Sequence, residues 1–286
     1  MPSRPLTAAG PLAGLALLCF AANSVLARLA LRTGDIDPAS FTAIRLGSGA
    51  LALWLLLQLS RADAPTAARR SEQWTAALLL FLYAAPFSFA YLWLPTGTGA
   101  LVLFGAVQLT MMGFALRSGE RPHAVEWAGL LIALAGLVYL NLPGLGAPSP
   151  LGTALMAIAG VAWGLYSIRG RRADAPLRQT ATSFLLATPM GLALLALQLP
   201  QSHFTRAGIA GAVASGALAS GGGYAVWYSV LPRLTVTRAG TIQLAVPVVA
   251  ALAGVALLSE RVSLRLLVSG VAILGGVGLA ISARRQ

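Results

Sequence analysis

Ten apolar runs of near membrane-spanning length occupy most of this chain, and they limit its fold more than any motif in it. A helix needs about 20 apolar residues to cross a bilayer. The runs fall near 10–30, 38–59, 73–94, 97–116, 123–141, 150–168, 177–198, 207–230, 235–258 and 263–282. Turn residues separate them, as at Gly34-Asp35 with Asp37-Pro38, Arg61 to Pro65, Pro95-Thr96-Gly97, Pro143 to Pro150 and Leu231-Pro232. Only 10% of the residues are charged, against about 25% in soluble domains. A soluble fold of this size lacks the volume to hide so much apolar surface. The expected fold is therefore an all-α membrane protein of ten transmembrane helices, with the lipid bilayer as solvent. Helices satisfy their own backbone groups where no water can.

The net charge of +12 is carried by arginine, with no lysine in the chain. A basic balance can mark nucleic-acid binding, but here the arginines lie in small groups between apolar runs. No nucleic-acid partner is expected. With the N-terminus placed in the cytoplasm, fourteen arginines fall in inside segments: Arg4, Arg61, Arg69, Arg70, Arg117, Arg121, Arg169, Arg171, Arg172, Arg178, Arg233, Arg238, Arg284 and Arg285. Five fall outside: Arg28, Arg32, Arg206, Arg261 and Arg265. This asymmetry predicts a multi-pass protein of a bacterial-type inner (plasma) membrane with both termini cytoplasmic. The first run is read as a span, because no cleavage site followed by a soluble domain succeeds it. The lone Cys19 sits in that run and is read as a small hydrophobe.

The chain repeats itself. Tyr91-Leu92-Trp93-Leu94-Pro95 resembles Tyr228-Ser229-Val230-Leu231-Pro232, 137 residues on. Gly119-Glu120-Arg121 resembles Ser259-Glu260-Arg261 at an offset of 140, and Arg28 and Arg169 end the first and sixth runs at an offset of 141. Residues 1–146 and 147–286 then form two five-helix halves. Five is odd, so the second half enters from the opposite side. Such inverted repeats support alternating access around a central cavity, and they point to transport.

Several motifs carry a family resemblance over nearly the whole length. Each half ends one helix in Glu-Arg and follows it with a Gly-spaced helix: Glu120-Arg121 with Gly129 and Gly136, and Glu260-Arg261 with Gly270 and Gly276. Pro247 precedes the second pair, and Val107 stands at the corresponding place in the first half. The chain resembles the drug/metabolite transporter superfamily, EamA type. Within it, Ala22-Asn23-Ser24, the run Pro38-Ala39-Ser40-Phe41 leading to Arg45, and Leu231-Pro232-Arg233 are most similar to YddG-type exporters of aromatic amino acids. The resemblance implies a ten-helix bundle with a central cavity that exports amino acids or related metabolites. Purines and quaternary amines remain as alternative solutes, and a non-transporting membrane scaffold as an alternative role.

Candidate substrate contacts are the embedded polar and aromatic residues. Pro86 lies opposite Gly223 of the Gly221-Gly222-Gly223 run at the 137-residue offset, which marks paired helix irregularities. They serve either as hinges or as packing aids. Tyr83, Phe87 and Tyr91 share one helical face. Trp163, Tyr166, Tyr224 and Trp227 are further candidates for a cavity lining, whereas Tyr91, Trp93 and Tyr228 suit an interfacial belt. Asn23, Ser24, Gln108 and Gln243 are costly in lipid unless they face the bundle interior. Arg45 is the embedded charge. Snorkelling, a carboxylate partner (Asp35 or Asp37) and a substrate carboxylate are each open to it, with a structural pairing expected.

No acid falls mid-span, and a proton-coupled carrier often uses one. A facilitator is therefore expected, with Glu120 and Glu260 hydrogen-bonding at helix ends and closing gates. His123 and His203 fall on opposite sides of the membrane, and no phosphate-binding Gly loop with lysine occurs. Neither an enzyme nor any cofactor or metal is expected. Helices five and ten, rich in small residues, either pack together or support dimers, so a monomer or weak homodimer is expected.

Overall fold

The computed structural model describes residues 9–59, 70–117, 124–142, 144, 147–170, 175–230, 242–243 and 245–283. Ten apolar helices run through them: α1 (Ala9–Arg32), α2 (Pro38–Leu59), α3 (Arg70–Ala90), α4 (Thr96–Arg117), α5 (Ala124–Asn141), α6 (Pro150–Gly170), α7 (Pro176–Leu197), α8 (Arg206–Val230), α9 (Ala245–Leu258) and α10 (Leu264–Ala283). Each apolar run yields one helix, and most ends agree within three residues. The exceptions are α3, which stops at Ala90, and α9, whose described part starts at Ala245. Eight helices have membrane-spanning length and hydropathy, and α9 and α10 add shorter apolar stretches. Large aliphatic side chains face outward, among them Leu185, Leu252 and Val271 at 64%, 66% and 75% exposure. A bilayer accommodates such a surface, and with eight helices of spanning length the chain is an all-α membrane protein.

Local chemistry sets the helix starts. Asp37 Oδ1 accepts from the backbone N–H groups of Ala39 (3.0 Å) and Ser40 (2.9 Å), with Pro38 at the first helical position of α2. Thr205 Oγ1 caps α8 through Gly208 N at 3.1 Å, and Ser263 Oγ caps α10 through Leu266 N at 3.1 Å.

Small residues then set the packing. α5 and α10 lie against each other. A Cβ at Gly129 would strike Gly276 O, and one at Gly276 would stand 2.5 Å from Gly129 O. The small-residue faces of these helices are thus used on each other within the chain. α3 packs on α6 and α8 on α1; α4 packs on α6 and α9 on α1; α2 packs on α8 and α7 on α3. Exchanging α1–α5 for α6–α10 converts each packing of these pairs into its partner.

α8 is not uniform. It is α-helical over Arg206–Val213, π-helical over Ala214–Gly222 and α-helical again over Gly223–Val230. The irregularity expected at Gly221-Gly222-Gly223 therefore starts seven residues earlier and ends as Gly223 begins. Its tight contact is with α2: a Cβ at Gly216 would collide with Ser48 Oγ and Arg45 O. Pro86 sits inside a helix that continues to Ala90, and Pro189 is a further in-helix proline in α7. Pro247 lies within α9.

Candidate substrate cavity and its closed face

An aromatic cluster lies where α1, α3, α6 and α8 meet. Trp163 is its centre, with ring centroids 5.0 Å from Tyr83, 4.9 Å from Tyr224, 5.6 Å from Tyr166 and 6.2 Å from Phe20. Phe20 also meets Tyr224 and Trp227 edge-on, both at 5.8 Å. Phe87 carries the row from Tyr83 (5.4 Å) to Tyr91 (4.8 Å). Tyr91 and Tyr228 are buried members of the core, not a lipid-facing belt, because their faces turn toward the bundle; Trp93 is 43% exposed.

A cavity of about 10 Å³ lies within this cluster, lined by Asn23, Ser24, Tyr83, Phe87, Trp163 and Tyr224 together with Phe20, Leu103, Phe104 and Ala219. That volume holds roughly one water, so an amino-acid-sized solute enters only if rings move. Six of the ten expected contact residues line it. Tyr166 and Trp227 back the lining as ring partners, while Gln108 and Gln243 are buried away from it. The sequence reading passed over Phe20, although it lies three and four residues before Asn23 and Ser24 on the same face of α1.

One end of the cluster is polar. Asn23 Nδ2 donates to Tyr83 Oη (3.1 Å), and Ser215 Oγ donates to Asn23 Oδ1 (2.5 Å). Arg45 Nη2 donates to the same Tyr83 oxygen at 2.9 Å, and its Nε to Ser220 Oγ at 3.3 Å. Here the π segment has a consequence. Residues five apart point about 140° apart on an α-helix, whereas i→i+5 bonding stacks them. Ser215 and Ser220 therefore both face inward, one to Asn23 and one to Arg45. The expected pairing of Arg45 with Asp35 or Asp37 does not form. Asp35 bonds to Thr33 and Thr205, and Asp37 is committed to capping α2 and to His203 N at 3.0 Å.

At the face where α1 ends, a polar network joins α1, α4 and the α9–α10 connection. Arg28 Nε pairs with Glu260 Oε1 at 3.4 Å, and Arg28 Nη1 donates to the carbonyls of Tyr91 (2.7 Å) and Leu92 (3.1 Å). Glu260 Oε2 accepts from Thr96 N at 2.8 Å, which caps α4. Arg32 Nη1 donates to Leu258 O at 2.9 Å. On the same face the α1–α2 connection joins the α7–α8 connection: Asp37 N donates to His203 O (3.0 Å) and Thr205 N to Asp35 O (2.7 Å). Burial pushes the Asp37 carboxyl up, but the hydrogen bonds from Ser40, His203 and Ala39 outweigh it and hold the group below the ordinary carboxylate value. Glu120 lies outside the described residues.

A second, open groove of about 490 Å³ lies between α4, α5 and α6, with Thr110, Asn141 and Thr153 among aliphatic side chains. Among the described residues no His, Cys, Asp or Glu cluster is arranged to hold a metal.

The EamA-like transporter family model matches residues 150–282. A Pseudomonas aeruginosa protein, uncharacterized protein PA1977, is 50% identical over 270 residues, covering 94% of this chain and 93% of that one. The chain belongs to the EamA-like transporter family. The transporter is also similar to the uncharacterized transporter YoaV of Bacillus subtilis, 22% identical over 87% of this chain and 89% of that one. The uncharacterized inner membrane transporter YedA of Escherichia coli K12 is 32% identical across 87 residues, 30% of this chain and 28% of that one. One solved crystal structure shares the fold, with a TM-score of 0.71 over 99% of both chains at 24% identity. This chain is a multi-pass membrane transporter.

Proposed function

We propose that this transporter exports amino acids with aromatic or apolar side chains, or related small metabolites, by alternating access. The carrying observation is the buried aromatic cavity with one polar end, lined by Asn23, Tyr83, Trp163 and Tyr224. Aromatic walls suit a planar or apolar group, and the amide and phenol groups at the polar end suit a charged or hydrogen-bonding head.

Two halves, 1–146 and 147–286, are the moving bodies of this reading. The exchangeable helix packing supports them. So do two contacts related by the 140-residue offset: Gly276 lies against Ala133 N, and Gly136 against Ile273 N. The Arg28–Glu260–Thr96 network is the closed gate of one face, and the cycle opens it by rocking the halves. With both termini cytoplasmic in an inner membrane, as the arginine bias favours, that gate faces outward. Pro86, the π segment ending at Gly221-Gly222 and Pro247 are the places where helices bend.

The test is flux in reconstituted vesicles across a panel of amino acids, purines and quaternary amines, with and without a pH gradient. Saturable flux of aromatic or aliphatic amino acids is expected, without accumulation driven by the gradient. Flux confined to purines or quaternary amines would reassign the solute. Absence of any flux would favour a scaffold role.

A further inference from the structure

Arg45 heads the largest side chains that are fully buried, at 1% exposure, and it lies about two turns into α2. Its Nε and Nη2 are used by Ser220 and Tyr83, but Nη1 has no hydrogen-bond partner. The guanidinium stands 5.0 Å from the Tyr83 ring centroid and 4.8 Å from that of Phe87. Both rings line the cavity. Among the described residues the ion pair is Arg28 with Glu260, so no carboxylate balances Arg45.

This arrangement is expensive. An arginine stays protonated in proteins, and burying an ion without a counter-charge leaves its lost hydration largely uncompensated. The two rings offset part of it through their negative faces. The unused Nη1 adds the cost of a desolvated donor. A second orphan stands in the cavity wall: the Tyr224 hydroxyl is buried without a hydrogen-bond partner. An unmatched cation behind the Tyr83 and Phe87 wall of the cavity and an unmatched hydroxyl in its lining call for the same missing group, an anion that accepts several hydrogen bonds.

We infer that Arg45 receives the carboxylate of the transported solute, while the Trp163, Phe20 and Tyr224 rings receive its apolar side group. This rests on the proposed function and narrows it to carboxylate-bearing solutes. A guanidinium fork matches the two oxygens of a carboxylate. Tyr83 connects cavity and cation, because its hydroxyl accepts from both Asn23 and Arg45. The cavity is too small for a solute unless rings move, and movement of Tyr83 or Phe87 is what uncovers Nη1. Solute entry therefore exchanges ring contacts on Arg45 for a counter-ion, and a solute without a carboxylate exposes the cation to no partner.

The test uses the purified full chain and four probes of one shape: phenylalanine, 3-phenylpropionate, phenylalanine amide and phenethylamine. Thermal stabilisation gives binding, and vesicle flux is measured separately. The two carboxylates are expected to bind about 10- to 100-fold more tightly than the amide and the amine, the range of a charged hydrogen bond. R45Q is expected to lose that preference, and R45K to keep part of it. If R45Q does not fold, the wild-type preference and its retention in R45K decide. Binding of the amide or amine as tightly as the acids overturns the inference, as does binding of neither acid, or an undiminished preference in folded R45Q. Flux of the amide and amine as fast as the acids would leave the transporter reading standing and remove the role of Arg45. Tight carboxylate binding without flux would do the reverse.

Discussion

Arg28 and Glu260 form an ion pair across 232 residues of sequence, and Glu260 also accepts the first backbone N–H of α4. One carboxylate thus holds α1, the α3–α4 turn and the α9–α10 connection together. Its side chain is only 10% exposed, so its loss leaves Thr96 N and Arg28 poorly solvated. Glu260→Ala is expected to cost about 1–3 kcal/mol, and Glu260→Gln less, because the amide oxygen still serves Thr96. Thermal unfolding in detergent measures both. Equal stability of wild type and Glu260→Ala would remove the network from the account of this face.

Ser259 places Glu260. It has φ of 54°, a left-handed value rarely adopted by residues with a side chain, and the turn lets Glu260 N reach Gly254 O at 3.1 Å. The matching position of the first half is Gly119. Ser259→Gly should be neutral or stabilising by up to about 1 kcal/mol, while Ser259→Val should destabilise by about 1–2 kcal/mol. The order of the two melting temperatures is the readout, and a valine variant as stable as the glycine variant would contradict the strain.

Two glycines separate packing from propensity. At Gly216 a methyl group would collide with Ser48 Oγ and Arg45 O, whereas at Gly270 nothing lies within 4 Å. Gly216→Ala is expected to lose about 1–3 kcal/mol through overpacking between α2 and α8. Gly270→Ala should gain about 0.5–1 kcal/mol, the usual helix advantage of alanine. Chemical or thermal unfolding of the pair checks the contrast, and the opposite order would refute it.

Trp163 touches four other aromatic rings in the cavity wall. Trp163→Ala should destabilise the fold by about 3–5 kcal/mol, and Trp163→Phe much less. If these rings hold the solute's apolar group, the phenylalanine variant keeps flux of aromatic amino acids and the alanine variant loses it. Flux unaffected in a folded alanine variant would place binding elsewhere.

Asp37 gives a pH dependence. Its folded-state pKa is lowered, so it contributes stability above the unfolded carboxylate pKa, and that contribution disappears as pH falls through the folded value. Melting temperature should fall through the acid range in wild type and fall less steeply in Asp37→Asn. Parallel curves would show that the cap and the His203 bond carry no pH-linked stability.

Several features were readable without a structure. Each helix corresponds to one apolar run, because hydropathy over about 20 residues reports the local cost of leaving water. Asn23, Ser24, Tyr83, Phe87, Trp163 and Tyr224 were legible as lining because polar or aromatic groups inside apolar helices seek the bundle interior. Arg45 was legible as embedded but not in its partners. Its acids lay near in sequence, yet Asp37 had backbone N–H groups to cap, and Tyr83 and Ser220 come from helices 38 and 175 residues away.

The sequence by itself determined the membrane class, the positions of the helices and the matching motifs spaced 137 to 141 residues apart. Those are properties of segments and of spacing. Tertiary structure decided that Phe20 joins the cavity, that α5 and α10 use their small residues on each other, and that a π segment aims Ser215 and Ser220 at Asn23 and Arg45. It also decided that Arg28 and Glu260 meet and that Arg45 has no counter-ion among the described residues. Such contacts depend on which helix faces come together, and side-chain packing among all the helices sets that at once.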